Sequence, residues 1–231
     1  MKTDRISTSI STRVFAAFLV GASAAEATLV DWQNQVLSGT QPTTTLFTTV
    51  SGSAPVLFDV GALSGDSSFE FIVNAGDGEP SSAYLGNRNA NGSQGLKFEQ
   101  WMESGVLGVT NFGVVDILSD DAPPLFTDTH VVFVSDGIDT NLYVNGSNLF
   151  TFTGTPLQIF GEQGLAGVYN SDGSFNDLLD GNLLGFASYD SALPASEIAT
   201  HSNAFFVPEP SAFVIAGLAC AGIFTSRRRQ C

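Results

Sequence analysis

Glu99 and Glu103 stand four positions apart, with Trp101 between them. Four is an even step along a strand, so both carboxylates share one face, with Cα atoms about 13 Å apart at roughly 3.3 Å per residue. Two carboxylates on either side of a glycosidic bond, one attacking and one donating a proton, can hydrolyse it. Here the Trp101 indole crowds the gap between them, and Ser104-Gly105 turns the chain just after Glu103. His130 and His201 are the only histidines. A serine triad would need one of them, and no G-x-S-x-G elbow stands near either. No phosphate-binding loop is present. The two cysteines, Cys220 and Cys231, are confined to the last twelve positions, which leaves the body of the chain without a thiolate for zinc or for Cys–His catalysis. These residues point away from an enzyme.

Binding chemistry has more candidates. One loop carries Asp136, Asp139 and Asn141, and another Asn170, Asp172, Asn176, Asp177 and Asp180. Carboxylate and amide oxygens are ligands for Ca²⁺; Asp172, Asp177 and Asp180 are the candidates, although neither loop has the EF-hand spacing. The same residue types dominate turns that hold no metal. Tyr84, Trp101 and Tyr169 sit among Gly, Asn and Ser and are candidate platforms for a sugar ring; core or hairpin packing is the alternative for each. Asn91-Gly-Ser93 and Asn145-Gly-Ser147 fit a glycosylation sequon and read as turns.

These groups must be positioned by strands. Short runs rich in β-branched and aromatic residues recur at Pro55–Val60, Ser68–Val73, Leu96–Trp101, Val106–Thr110, Val114–Leu118, Thr129–Val134, Asn141–Val144, Leu149–Phe152, Leu165–Val168 and Leu184–Tyr189, separated by Gly, Asn, Asp, Ser and Pro. Strands at this spacing predict a sandwich or barrel. Phe69, Phe71 and Val73 share one face of their strand, with Glu70 on the other. Asn145-Gly146 suits a type I′ hairpin turn. Before the C-terminal tail, one helix is predicted, Ala195–Ser202, entered through Pro194 and with Glu197 in its first turn, where the helix dipole favours an acid.

Both ends have a different character. Lys2, Arg5 and Arg13 precede an apolar run from Val14 to Ala25 and an A-x-A site, Ala25-Glu26-Ala27, the order of a secretory signal peptide over residues 1–27. At the other end, Val207-Pro208-Glu209-Pro210-Ser211 leads into an uncharged stretch from Ala212 to Thr225 and then Arg227, Arg228 and Arg229. The prolines bar a helix upstream. The stretch would span roughly 21 Å at about 1.5 Å per residue, short against a bilayer core of about 30 Å, a gap that bilayer thinning or snorkelling arginines can close. A buried helix has similar length; the proline break and arginine stop at the two edges favour a membrane span with the arginines cytoplasmic. Between Thr28 and Phe206 the 23 acids fall to 20 and the 8 bases to two, Arg88 and Lys97, a formal charge of 2 minus 20, or −18. Such a surface repels nucleic acid and anionic membranes, so no nucleic-acid partner is expected.

The tail resembles the PEP-CTERM sorting signal of Gram-negative bacteria, on Val207 to Ser211, the apolar stretch and the arginine cluster. That resemblance implies recognition by the membrane protease exosortase, transient anchoring in the inner membrane, and delivery to the outer surface or extracellular matrix. A second resemblance rests on Thr129-His130-Val-Val-Phe-Val-Ser-Asp-Gly137, Asn141-Leu-Tyr-Val-Asn-Gly146 and the closing run Gly185 to His201, with Tyr189-Asp190-Ser-Ala-Leu-Pro followed by Glu197-Ile198. Together these look like the concanavalin A-like lectin/glucanase superfamily in its laminin G-like branch. The resemblance implies an all-β jelly-roll sandwich over residues 28–206, between a signal peptide and a single C-terminal sorting helix over 207–231, with rim loops that bind ligand and often Ca²⁺. Glucanase relatives use Glu-x-Asp-x-Glu on one strand; Glu99-Gln-Trp-Met-Glu103 has Trp101 where they have the middle acid. The expectation is therefore a non-catalytic surface or matrix protein that binds or structures extracellular polysaccharide, with a glycoside hydrolase as the alternative.

Overall fold

The computed structural model describes residues 24–61, 63, 65–76, 81–89, 94–98 and 105–206. The elements, in chain order, are α1 Ala24–Ser38, β1 Thr44–Leu46, β2 Val50–Ser51, β3 Val56–Asp59, β4 Asp66–Ala75, β5 Ser82–Gly86, β6 Gln94–Phe98, β7 Leu107–Asn111, β8 Val115–Leu118, β9 Thr129–Asp136, β10 Thr140–Val144, β11 Ser147–Phe152, β12 Glu162–Leu165, β13 Val168–Tyr169, β14 Phe175–Asn176, β15 Gly181–Tyr189 and α2 Ala195–Phe206. They form an antiparallel β-sandwich. One sheet runs β1-β15-β4-β9-β10-β11, with β2 also on β15; the other runs β3-β12-β5-β6-β7-β8; β13 and β14 make a small separate hairpin.

Alternation in β4 builds two layers at once. Phe69, Phe71 and Val73 point into the space between the sheets, where they meet Tyr84, Leu85, Leu96, Phe98, Leu107 and Val109 from the six-stranded sheet. Ile72, from the opposite face of β4, packs under the helices with Trp32 and Val36 of α1 and Ile198 and Phe205 of α2. A strand covered on both faces loses the polar side that a half-exposed strand would show, so Glu70 is fully buried. Gly185 of β15 makes the helix layer fit: a Cβ there would come within 2.5 Å of the Trp32 ring.

Most predicted strands are present, and the Asn145-Gly146 turn has positive φ at both positions, 50° and 80°, as a type I′ turn requires. Four differences have physical causes. Leu29, Trp32 and Val36 lie at helical spacing, and α1 joins the fold although its start lies in the segment read as a signal peptide. The Leu165–Val168 run is broken, because Ala166 takes φ 59° and separates β12 from β13. Ser82–Gly86 is not among the predicted strands, yet β5 is interior to its sheet, with a register shift between Ala83 and Leu85 that lets both Tyr84 and Leu85 reach the core. Helix α2 continues four residues past Ser202 to bury Phe205. Among the described residues, no helix is long and apolar enough to cross a membrane. Residues 1–23 of the signal segment, and the whole tail with Val207, Pro208, Glu209, Pro210, Ser211, Arg227, Arg228 and Arg229, lie outside the described residues.

Candidate functional site

The two helices cover the seven-stranded sheet; two adjoining cavities lie on the far side of the six-stranded sheet. Along β6, Leu96 and Phe98 enter the core, so Gly95 and Lys97 face outward. Along β7, Leu107 and Val109 enter the core, which turns Gly108 and Thr110 outward, and Thr110 pairs with Asp116 of β8. The outward row is thin because Gly86, Gly95 and Gly108 have no side chains, and Phe112 folds back over it from the turn after β7. A Cβ on Gly95 would meet Phe112 Cζ at 2.8 Å, and one on Gly86 would meet it at 3.3 Å. The glycines thus form the seat of an aromatic ring.

Charge gathers around that ring. The Arg88 guanidinium lies over Phe112, 5.0 Å from its centroid, within cation–π range. Arg88 Nη2 donates to Asp177 Oδ2 at 2.9 Å and Lys97 Nζ to the same oxygen at 2.8 Å; Lys97 Nζ also donates to Ser81 Oγ. Both bases of residues 28–206 therefore converge on one carboxylate. Asp177 has φ 45°, a left-handed conformation that Asp adopts more readily than most non-glycine residues, and the two cations hold its carboxylate in place. Ser81, Arg88, Lys97, Thr110, Phe112, Asp116 and Asp177 line a cavity of about 640 Å³. A second cavity of about 350 Å³, lined by Gln94, Thr155, Pro156 and Gln158, shares Asn111, Phe112 and Val114 with the first. These three residues, at the end of β7 and in the turn after it, divide the two cavities.

The candidates from sequence fall elsewhere. Tyr84 is fully buried in the intersheet core, 5.5 Å from Phe71 and 6.2 Å from Phe98; burial also pushes its phenol up. It offers no surface to a sugar. Tyr169 is half-buried in the β13–β14 hairpin against Phe175, 5.3 Å away. Glu99, Trp101 and Glu103 lie outside the described residues. The calcium candidates do not converge: among the described residues no three His, Cys, Asp or Glu side chains form a group able to hold a metal ion. Asp172 accepts from Ser174 N and Oγ, and those bonds hold its carboxyl below the usual range. Asp177 is held by two cations, which would repel Ca²⁺. Asp180 uses its backbone oxygen to receive Gly76 N at 2.7 Å. Asp136 closes its own turn through Ile138 N and Asp139 N.

Both histidines meet at Glu70 beneath the helices. Glu70 Oε1 receives Trp32 Nε1 at 2.8 Å and faces His130 Nε2 at 2.7 Å and His201 Nδ1 at 3.1 Å; Oε2 receives Tyr189 O–H at 2.6 Å. Burial opposes the carboxylate, and the hydrogen bonds and charges of His130 and His201 outweigh it, holding Glu70 far below the usual range. Burial also opposes a charged His201, yet Glu70, and then Glu197 with Nε2 at 3.8 Å, raise its pKa. Glu197 in turn accepts from Thr40 N and Oγ1, which ties the segment after α1 to the start of α2. The resulting network binds two helices and three strands together. Its centre at Glu70 is fully buried; at its edge, Glu197 and His201 border a cavity of about 290 Å³ between the helices.

Nothing local in the sequence marks Arg88, Lys97, Phe112 or Glu70 as site residues. The usable signal is scarcity: in a stretch of charge −18, two isolated bases have to be placed where a carboxylate receives them.

Comparison with known proteins agrees with this architecture. The fold matches domain 4 of AbnA, an extracellular arabinanase from Geobacillus stearothermophilus solved in complex with arabinotriose, at 21% identity and TM-score 0.52, over 67% of this chain and 75% of that one. It matches the CBM40 of the Ruminococcus gnavus IT-sialidase, solved bound to alpha2,3 sialyllactose, at 14% identity and TM-score 0.53, over 70% of this chain and 99% of that one. NanB, a sialidase of Streptococcus pneumoniae, matches in its complex with Optactamide at 20% identity and TM-score 0.51, over 69% of this chain and 28% of that one. No curated protein sequence matches this chain. A laminin G-type family model, described as the concanavalin A-like lectin/glucanases superfamily, matches residues 26–199. With that much of the chain matched and the two-sheet architecture in place, the chain belongs to the concanavalin A-like lectin/glucanases superfamily.

Proposed function

We propose that this chain is an exported, non-catalytic β-sandwich that binds or structures extracellular polysaccharide through the cavities on either side of Phe112. The observation that carries the proposal is the seat of glycines that props a half-buried aromatic ring at the boundary of two cavities, framed by Arg88, Lys97 and Asp177. Ligand sites combine an apolar platform with a few fixed polar groups, and a sugar ring presents both a C–H face and hydroxyls. Two proteins of the same fold, AbnA domain 4 and the CBM40, were solved with oligosaccharides, which supports the choice of ligand class. An oligosaccharide array probed with the whole chain tests it: binding that falls at least about tenfold in Phe112→Ala, equivalent to about 1.4 kcal/mol, is the expected result. Binding indifferent to that change would reject the site, and release of reducing sugar would favour the glycoside hydrolase.

The placement outside the cell rests on the two ends of the sequence. The basic, apolar and A-x-A order of the N-terminus supports export; the Pro208–Pro210 motif, apolar stretch and arginine cluster support capture in the inner membrane and processing by an exosortase before release to the surface or matrix. Cell fractionation of the wild type against a Pro208→Ala/Pro210→Ala variant tests this. Retention of the variant in the inner membrane is expected; full-length wild-type chain in the cytosol would refute it.

A further inference from the structure

We propose that the glycan held around Phe112 is electrically neutral, which rests on the polysaccharide-binding reading above and narrows it. The cavity gathers both bases of the domain but has no net positive charge to offer an anion, because Asp177 and Asp116 line it together with Arg88 and Lys97. The bases are also committed. The Lys97 side chain is 3% exposed and its ammonium is divided between Asp177 and Ser81. Arg88 gives one N–H to Asp177, its flat face to Phe112 and, with the Asn176 amide in the orientation that satisfies its neighbours, N–H groups of both Nη atoms to the Asn176 oxygen at 3.1 and 3.2 Å. A uronate, sialate or sulfate entering here would have to compete with Asp177 for both cations and sit beside two carboxylates, and like charges at such distances repel strongly in a partly enclosed site.

Hydroxyls meet the opposite situation. A sugar hydroxyl donates and accepts at once, so it can accept from a remaining guanidinium N–H while donating to a carboxylate oxygen of Asp177 or Asp116. Fixed donors beside fixed acceptors suit a polyol and frustrate a pure acceptor such as a carboxylate. The long-range field acts in the same direction. With formal charge −18 between Thr28 and Phe206, a polyanion is repelled on approach, whereas a neutral chain is unaffected.

The experiment titrates the full chain with two families of oligosaccharide, neutral (gluco-, xylo- and arabino-oligomers) and acidic (oligouronates, sialyllactose and sulfated oligomers), each with and without Ca²⁺. Neutral ligands should bind, with affinity constant to within about twofold between about 20 mM and about 500 mM salt, because no counter-charge is screened. Phe112→Ala should lower that affinity about tenfold or more, and Arg88→Gln, which keeps an amide donor, by less. Tighter binding of an acidic ligand that weakens with salt and fails in Arg88→Gln would overturn the neutral assignment while leaving polysaccharide binding intact. Acidic binding that appears only with Ca²⁺ would do the same. Failure of both families would overturn polysaccharide binding itself, and with it this inference. Unchanged neutral binding in both variants, with melting temperatures preserved, would reject the site.

Discussion

Glu70 and Asp177 are the same motif in two settings: each is a carboxylate between two basic side chains, one on the covered face of the sandwich and one on the open face. Glu70 has His130 and His201, and all three are 0–1% exposed under the helices. Asp177 has Lys97 and Arg88, and the group reaches solvent, with Arg88 41% exposed beside a cavity. Around Glu70 the ring of donors is closed by Trp32 and Tyr189, so the carboxylate is saturated from within the fold. Around Asp177 the neighbours are a glycine seat, an aromatic ring and open volume. Burial, and not the pairing of charges, separates a network that holds the fold together from one that can meet a ligand.

Removing the two carboxylates separates the settings most sharply. Glu70→Ala strands buried Trp, Tyr and His polar groups and should cost about 3–5 kcal/mol, lowering the melting temperature by roughly 6–20 °C at about 2–4 °C per kcal/mol. Asp177→Asn keeps an acceptor but leaves the Lys97 ammonium, 3% exposed, without its carboxylate, and should cost about 1.5–3 kcal/mol, the range for a hydrogen bond to a charged group. Equal losses in thermal denaturation would erase the distinction. Trp32→Phe, which keeps most of the ring volume but removes the bond to Glu70, should cost about 1.5–3 kcal/mol, with saccharide affinity unchanged.

The pH response sharpens the comparison. The His201 pKa is raised in the fold, so its contribution is complete below its unfolded value of 6.5 and is lost as pH rises through the higher folded value. The Glu70 pKa is depressed, so its contribution is complete above its ordinary 4.5 and is lost as pH falls toward the folded value. From these two groups, stability should peak between 4.5 and 6.5 and decline above that window, and His201→Gln should flatten the alkaline limb. A melting temperature that rises from pH 6.5 upward in the wild type would contradict this account of the helix layer. The smallest expected effect on stability belongs to Arg88→Ala, about 0–1 kcal/mol for an exposed pair; its consequence should appear in ligand affinity, measured by titration calorimetry.

The legible parts of this fold are those with a local signal. Period-two alternation at Phe69, Phe71 and Val73 places β4, and Asn145-Gly146 places its hairpin, because strand face and turn type are decided within a few residues. The same alternation puts Glu70 on the face opposite Phe69, but its burial depends on α1 and α2 arriving from positions far away in sequence. Tyr84 sits among small and polar neighbours, which leave a sugar platform and core packing both open; a register shift, set by the partner strand, turns it inward. Phe112 has no signal of its own, since the glycines that seat it come from β5 and β6. The site is hidden because it is made by register between strands, which no single segment encodes.

The account stands on the claim that the open face meets glycan and the covered face does not. Hydrogen–deuterium exchange of the whole chain with and without a bound neutral oligosaccharide tests it most directly. Added protection over Thr110–Asp116 and Gly86–Arg88, with exchange at Trp32, His130 and His201 unchanged, is the predicted result. Protection that appears on α1 and α2 while the Phe112 hairpin exchanges as before would contradict it.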